Sequence, residues 1–347
     1  MPVTKWSNFP EDFRVKSIKD IQNAYEKQRY QGCVRDPEAD AKLIASLPYP
    51  NGADAAHHFG FAGSGAGKLV VPFRHIEYLY PGSLPGPAQA RGDCVSHGSK
   101  NAGLCTMCCE IVAATPDSVT GRIEGAPKVS ADGISNGVLS TEAIYWWRDH
   151  GGDGWSCAHA ADVVLTESGL WLRQVHEVPG YGQLDLTKYS GGLAGKWGRS
   201  SPPDEIKAYG LEHQIRTATV LESFEEVCDY LDNGYGISSC GGEGFSSERD
   251  ENGVSRRKGG WSHAMAYLGA DSRPWAMDNY GGLVLVQNSW ARFNSGPRKI
   301  HGTTLQIPHG SFWARWSDLK KRYMAAFSGF AGFPPQKLPD FGATGII

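Results

Sequence analysis

The apolar pattern of this 347-residue chain changes in kind near residue 236. Ahead of that point the patterned stretches are helical. CVSHGSKNAGLCTMCCEIVAAT, beginning at Cys94, has the small and apolar residues of a tightly packed buried helix ending near Pro116. STEAIYWWRDH, over 140–150, opens with hydroxyl residues suited to capping and stops at Gly151 and Gly152. CAHAADVVLTES stops at Gly169, and Ser223-Phe224-Glu225-Glu226 has capping-box spacing, with Val227, Tyr230 and Leu231 following on one face until Asn233 and Gly234. Beyond residue 236 the runs become short and strand-like: HAMAYLG (263–269), GLVLVQNSW (282–290) and SFWARW (311–316), separated by Gly, Pro and Asn-rich turns. Helices first and strands second predict an α+β fold with a helical half and a sheet half, rather than alternating βαβ units.

Charge excludes little except polyanion binding. Lys and Arg total 34 against 37 Asp and Glu, a formal charge of -3, so there is no electrostatic reason to expect nucleic acid or an anionic membrane as partner. No apolar run approaches the roughly 20 residues of a membrane-spanning helix, and MPVTKWSNFPEDF lacks the apolar core of a secretory signal, so the expected location is the cytoplasm. Glycine, at 44 residues, is about 13% of the chain against a usual value near 7%, which predicts many loops and tight turns. The stretches near 180–205 and 241–260 read as inserted surface loops, the second ending just before His263. Eight cysteines spread through so long a chain read as free thiols in a reducing compartment.

One thiol stands out. Gly92-Asp93-Cys94 enters a helix, and a cysteine at a helix start is biased toward the thiolate by the positive end of the helix, the more so beside an imidazole. Downstream come Trp261-Ser262-His263-Ala264-Met265-Ala266 and then Gln287-Asn288-Ser289-Trp290. In these motifs and their order the sequence resembles the papain family of cysteine peptidases. Looser likenesses extend over about residues 73–327: Leu139-Ser140-Thr141-Glu142, the glycine-rich 151–154, Ser168-Gly169-Leu170 with Pro179-Gly180-Tyr181, and His309-Gly310-Ser311-Phe312.

The resemblance implies a papain-like fold, with a helical half carrying the nucleophile packed against a β-sheet or barrel half carrying His and Asn, and a cleft between them. It implies Cys94 as nucleophile, His263 as base and Asn288 as the residue orienting that base, with Trp290 covering their hydrogen bond and Ser289 in support. Gln89 is the implied oxyanion donor beside the backbone N–H of Cys94. Gly152, Gly154, Val95 and Ser262 would line the substrate side. No cofactor and no metal is implied; the implied partner is a peptide or protein substrate.

The sequence departs from the family's pattern in places. Gln89 stands five residues before Cys94 where the family usually has six, and Val95 follows the nucleophile where the family has Trp. Cys94 and His263 are 169 residues apart, beyond the roughly 130–150 typical of papain-like enzymes, which inserted loops would absorb. These departures keep two alternatives open: a weakly active or inactive papain-fold subunit of a larger assembly or particle, and an acyl transferase or isopeptidase using the same triad. Residues 1–72, with a charged helical stretch over 12–30, read as an N-terminal extension serving as prosegment or docking arm for an assembly partner. Residues 73–327 form the peptidase domain, the helical half about 94–175 and the β half about 205–327 plus an N-terminal strand, and 328–347 a tail.

Several motifs carry a blander reading. His97 is a packing residue, Cys105, Cys108 and Cys109 are buried helix thiols without the partners a zinc site needs, and His57-His58 lies in a solvated loop. Gly63-Ser64-Gly65-Ala66-Gly67-Lys68 lacks the first glycine and the hydroxyl of a phosphate loop, Tyr145-Trp146-Trp147 is helix core, and 255–258 is solvated loop.

Overall fold

The computed structural model describes residues 32–114, 138–329 and 332–338. The helical stretch expected over 12–30 lies outside the described residues, as does Pro116. The described chain begins with β1 (Cys33–Val34) and two helices, Pro37–Ser46 and Gly52–Phe59, whose first turns are capped by the side chains of Asp36 and Asn51. His57 and His58 are exposed as expected, but on the last turn of a helix rather than in a loop. The following glycine-rich loop does cradle an anion, and that anion belongs to the protein. The backbone N–H groups of Gly63 and Gly65 donate to the carboxylate of Asp229 at 2.7 and 2.9 Å. A short strand, β2 (Leu69–Val70), follows.

The helix opening at Cys94 runs to Ala114 and is buried almost all round, which its small side chains permit. Close approach matters at Gly98, where a Cβ would stand 3.1 Å from the Met265 carbonyl oxygen. The stretch over 140–150 forms only a short helix, Glu142–Trp146, because the chain turns out of helical geometry at Trp147 and reaches a left-handed φ of 46° at Asp149. Its aromatic run is core, as expected: Trp146 stacks on Trp197 at 3.9 Å. Next come β3 (Trp155–Ser156) and the helix Cys157–Thr166, capped by Ser156, whose hydroxyl accepts from His159 N. The region near 180–205 is not a plain loop. β4 (Val175–Val178) and β5 (Gly182–Asp185) pair as a hairpin, and the helix Gly191–Trp197 follows.

The sheet half opens with β6 (Ala218–Val220) and the helix Phe224–Asp232, in which Ser223 Oγ accepts from Glu226 N at 3.1 Å. The Glu226 carboxylate reaches Glu222 N, one residue upstream of the position a capping box uses. Then come β7 (Ile237–Arg249), β8 (Ser255–Asp271), β9 (Leu283–Gln287), β10 (Ser311–Arg315) and β11 (Tyr323–Phe327). They form an antiparallel sheet in the order β10-β9-β8-β7-β11-β6, with β2 also paired to β8. The sheet is open, not a closed barrel. The α+β expectation, with helical and sheet halves, describes the chain.

The stretch over 241–260 corrects the sequence reading. It forms the outer arms of the β7–β8 hairpin, and Arg256, Arg257 and Lys258 are exposed on a strand rather than in a loop. Ladder bonds come from the backbone, so a polar and glycine-rich run can pair; register shifts between Gly241 and Arg249 take up the irregularity. The cysteine reading is corrected too. Cys157 and Cys240 form a disulfide, with Cα atoms 6.2 Å apart, joining the helical half to β7; such bonds persist in oxidising compartments. Cys105, Cys108 and Cys109 are buried helix thiols. Among the described residues, no helix is long and apolar enough to cross a membrane.

Candidate active site

Cys94 is the first residue of its helix, fully buried, with the positive end of the helix behind it. Its Sγ accepts a hydrogen bond from the backbone N–H of Ala264 at 3.4 Å. That donor is the residue directly after His263, so helix start and β8 meet at the predicted nucleophile and base. A backbone N–H and a helix start both favour an anion at the sulfur, and burial opposes it.

His263 is also fully buried. Its Nε2 lies 2.8 Å from Asn288 Oδ1, which fixes the plane of the ring. Asn288 Oδ1 additionally accepts from Ser289 N at 2.7 Å, and the Asn288 backbone N–H donates to Gly310 O at 3.2 Å, so both the side-chain oxygen and the main chain that carries it are held. Trp290 stacks on the imidazole at 4.5 Å and Trp261 meets it edge-on at 6.0 Å, closing the His263–Asn288 bond off from water. Burial drives the imidazole down to about 3; the Asn288 hydrogen bond opposes this, and the nearby Arg322 charge adds to it.

Gln89 reaches the same place by a different route from the one expected. Its backbone N–H donates to Ser289 O at 2.9 Å, its Oε1 accepts from Ser289 Oγ, and its Nε2 donates to Arg91 O at 2.8 Å. The loop before Cys94 is thereby fastened to the Asn288–Trp290 segment. Gly154 N donates to Gly92 O at 3.2 Å, which brings the glycine loop alongside the nucleophile; Gly152 and Gly154 both have left-handed φ, 85° and 88°. Val95 is fully buried. Ser262 Oγ donates to Cys33 O, while Trp155 N donates to Gly32 O at 3.3 Å, so β1, parallel to β3, bridges the helical and sheet sides of the site.

Residues that the sequence reading passed over complete the surroundings. Tyr189 OH accepts from Ala90 N at 2.9 Å and donates to Asp93 Oδ2 at 2.7 Å, tying both ends of the loop before the nucleophile. Asp93 adjoins Cys94 and could have been noticed there; Tyr189 lies in a stretch read as loop and had no local signal. His97 packs against the Tyr189 ring at 5.2 Å, with Nε2 3.7 Å from Asp93 Oδ2. Burial, with the charges of Lys100, Arg173 and His263, holds that imidazole well below its usual value, so the contact is not a charged pair.

Burial raises the Asp93 carboxyl to about 7, the Tyr189 hydrogen bond opposing and the charges of Asp153 and Glu142 assisting. The sign of the consequence follows. Between about pH 4 and pH 7 the folded chain keeps a proton that the unfolded chain releases, so this residue's contribution to stability falls as pH rises. Asp93→Asn keeps an oxygen for Tyr189 and cannot ionise. Its gain over wild type in urea denaturation should be near zero at pH 4 and grow to at most about 4 kcal/mol at pH 8. A variant less stable than wild type at pH 8 would show instead that Asp93 works as a charge.

Among the described residues no group of three or more His, Cys, Asp or Glu side chains is arranged to hold a metal ion. No protein-family model and no curated protein sequence matches the chain. Solved structures do. The chain is similar to xylellain, a cysteine protease from Xylella fastidiosa, at 13% identity over 83% of this chain and 88% of that one, with a TM-score of 0.41. It is similar to procathepsin B of Trypanosoma congolense at 10% identity over 88% and 87%, TM-score 0.43. It is similar to the digestive procathepsin L2 proteinase of Tenebrio molitor larval midgut at 12% identity over 87% and 79%, TM-score 0.47. These overlaps are loose.

Proposed function

We propose that the protein is a papain-like cysteine peptidase, with Cys94 as nucleophile, His263 as base and Asn288 as the residue orienting it. The observation carrying this reading is the continuous contact from Cys94 Sγ to Ala264 N, and from His263 Nε2 to Asn288 Oδ1 beneath Trp290. An imidazole so buried does not hold a proton alone; a thiolate beside it supplies the counter-charge, so the two ionise as a pair.

In the reaction, the Cys94 thiolate attacks the peptide carbonyl carbon and the C=O π pair moves onto oxygen, held by the Cys94 N–H and an amide hydrogen of Gln89. The oxyanion collapses, the C–N bond breaks, and His263 gives its proton to the departing amine. Water then adds to the thioester, losing a proton to His263, and the thiolate leaves as the acid is released.

In this reading the part of residues 1–72 ahead of Gly52, which includes β1, acts as the prosegment, while the helix Gly52–Phe59, the Gly63–Gly65 loop and β2 are built into the sheet half. β1 pairs with β3 on the helical side and its Cys33 carbonyl accepts from the Ser262 hydroxyl on the sheet side, taking the ground of a substrate strand in this reading, and Cys94 is fully buried in the chain as it stands. One observation favours the alternative of a weak or inactive papain-fold subunit: the Gln89 amide is already engaged with Arg91 O and Ser289 Oγ. The two readings part on incubation with a complex peptide mixture before and after limited proteolysis ahead of Gly52, with new termini read by mass spectrometry. Peptidase activity yields new termini that are absent with Cys94→Ala; none under any treatment leaves the structural subunit. Product amides or isopeptides in place of acids would identify a transferase, and acids released only from lysine side-chain amides an isopeptidase.

A further inference from the structure

Arg322 lies between the Trp316–Leu319 helix and β11, and its side chain is fully buried against the strand that carries His263. Nη2 donates to the carbonyl oxygen of His263 at 2.6 Å and to Ser239 O at 3.4 Å. Nε donates to Ser239 Oγ at 3.0 Å, and that hydroxyl donates onward to Tyr267 OH at 2.7 Å. Nη1 meets Glu243 Oε2 at 3.3 Å. The location is where the sheet needs fastening. Gly241 pairs with His263, the register then slips before Glu243, and β8 pairs with β9 only from Ala266 onward. Without a donor from outside the ladder, the backbone at His263 would be held on neither flank as firmly as the strand beyond it.

We propose that Arg322 is the positioning residue of the predicted base: it clamps the His263 main chain at the end of the regular ladder and sets a fixed positive charge behind the imidazole. This rests on the peptidase reading for its consequence in catalysis, but the clamp and its field are properties of the fold. The charged and titratable groups around His263 are few. The helix opening at Cys94 brings that thiol and His97; β7 brings Glu243, which partly offsets the guanidinium; β1 brings Cys33, whose thiol burial raises to about 11 with Arg322 pulling the other way. Asn288 and Trp290 are neutral.

The test uses full-length protein carrying Cys94→Ala, so that no thiolate contributes, with ¹⁵N-labelled histidine and the His263 signals assigned by a His263→Gln variant. Arg322→Met should raise the His263 titration by about one unit, tenfold in proton affinity, and broaden its ring signals, whereas Arg322→Lys should hold the titration near its starting value. Glu243→Gln, which leaves the clamp in place and removes its counter-charge, should move the titration the opposite way. An unchanged titration in Arg322→Met with reduced thermal stability would overturn the proposal and leave a merely structural arginine. Should Arg322→Met fail to fold, an unmoved titration in Glu243→Gln overturns it equally. Loss of peptide hydrolysis in unmutated protein, with these shifts intact, would sink the peptidase reading and spare the clamp.

Discussion

Cys94→Ala should lower kcat/KM for peptide hydrolysis by about 10⁴-fold or more. Of the described thiols only Cys94 Sγ sits at a helix start and accepts the N–H beside His263, and Cys33, which also lies near the base, is pushed up to about 11 by burial. His263→Ala should cost about as much. The double variant should be hardly slower than either single one, because a nucleophile and its base act as a unit. Far-UV circular dichroism and chromatographic behaviour of the variants check that the loss is chemical. A decline of less than about tenfold in Cys94→Ala would mean that the nucleophile lies elsewhere.

The largest effect on stability is expected at Glu142 and Arg173. Their side chains, 0% and 2% exposed, meet at 3.0 Å, and Glu142 also accepts from Ser190 N at 2.7 Å and Thr141 N at 3.1 Å, while Arg173 donates to Leu186 O at 3.2 Å. The pair therefore staples four separate stretches of the helical half. Arg173→Met strands a buried carboxylate among backbone donors and should destabilise by about 3–5 kcal/mol in urea denaturation. Replacing both partners with apolar residues should cost less than that single change, since two desolvated charges go together. A loss under about 1 kcal/mol for Arg173→Met would mean that water reaches the site on demand.

Much of the site was legible because its parts are local motifs. A helix start with cysteine, His-Ala-Met-Ala on a strand, and Asn-Ser-Trp at a strand end each carry their geometry in a few residues, and the antiparallel sheet brings β8 and β9 together. What the sequence hid depends on pairing at a distance. The run over 241–260 looks like loop because glycine and charge dominate it, yet strand pairing is a backbone property. The disulfide joins residues 83 apart, and no local spacing announces it. Tyr189 and Arg322 act through contacts 96 and 59 residues away, with Asp93 and with the His263 carbonyl. Gln89, expected as an oxyanion donor beside Cys94, has its amide on Arg91 and Ser289, which position along the chain cannot reveal.

If Cys94 and His263 form one ionising unit, the rate of Cys94 alkylation by iodoacetamide as a function of pH measures this directly, site by site, by mass spectrometry after limited proteolysis ahead of Gly52. The account predicts that Cys94 reacts as a thiolate well below the ordinary thiol value of about 8.5, and that His263→Ala returns the profile to that value. A wild-type profile centred near 8.5 and unmoved by His263→Ala would contradict it.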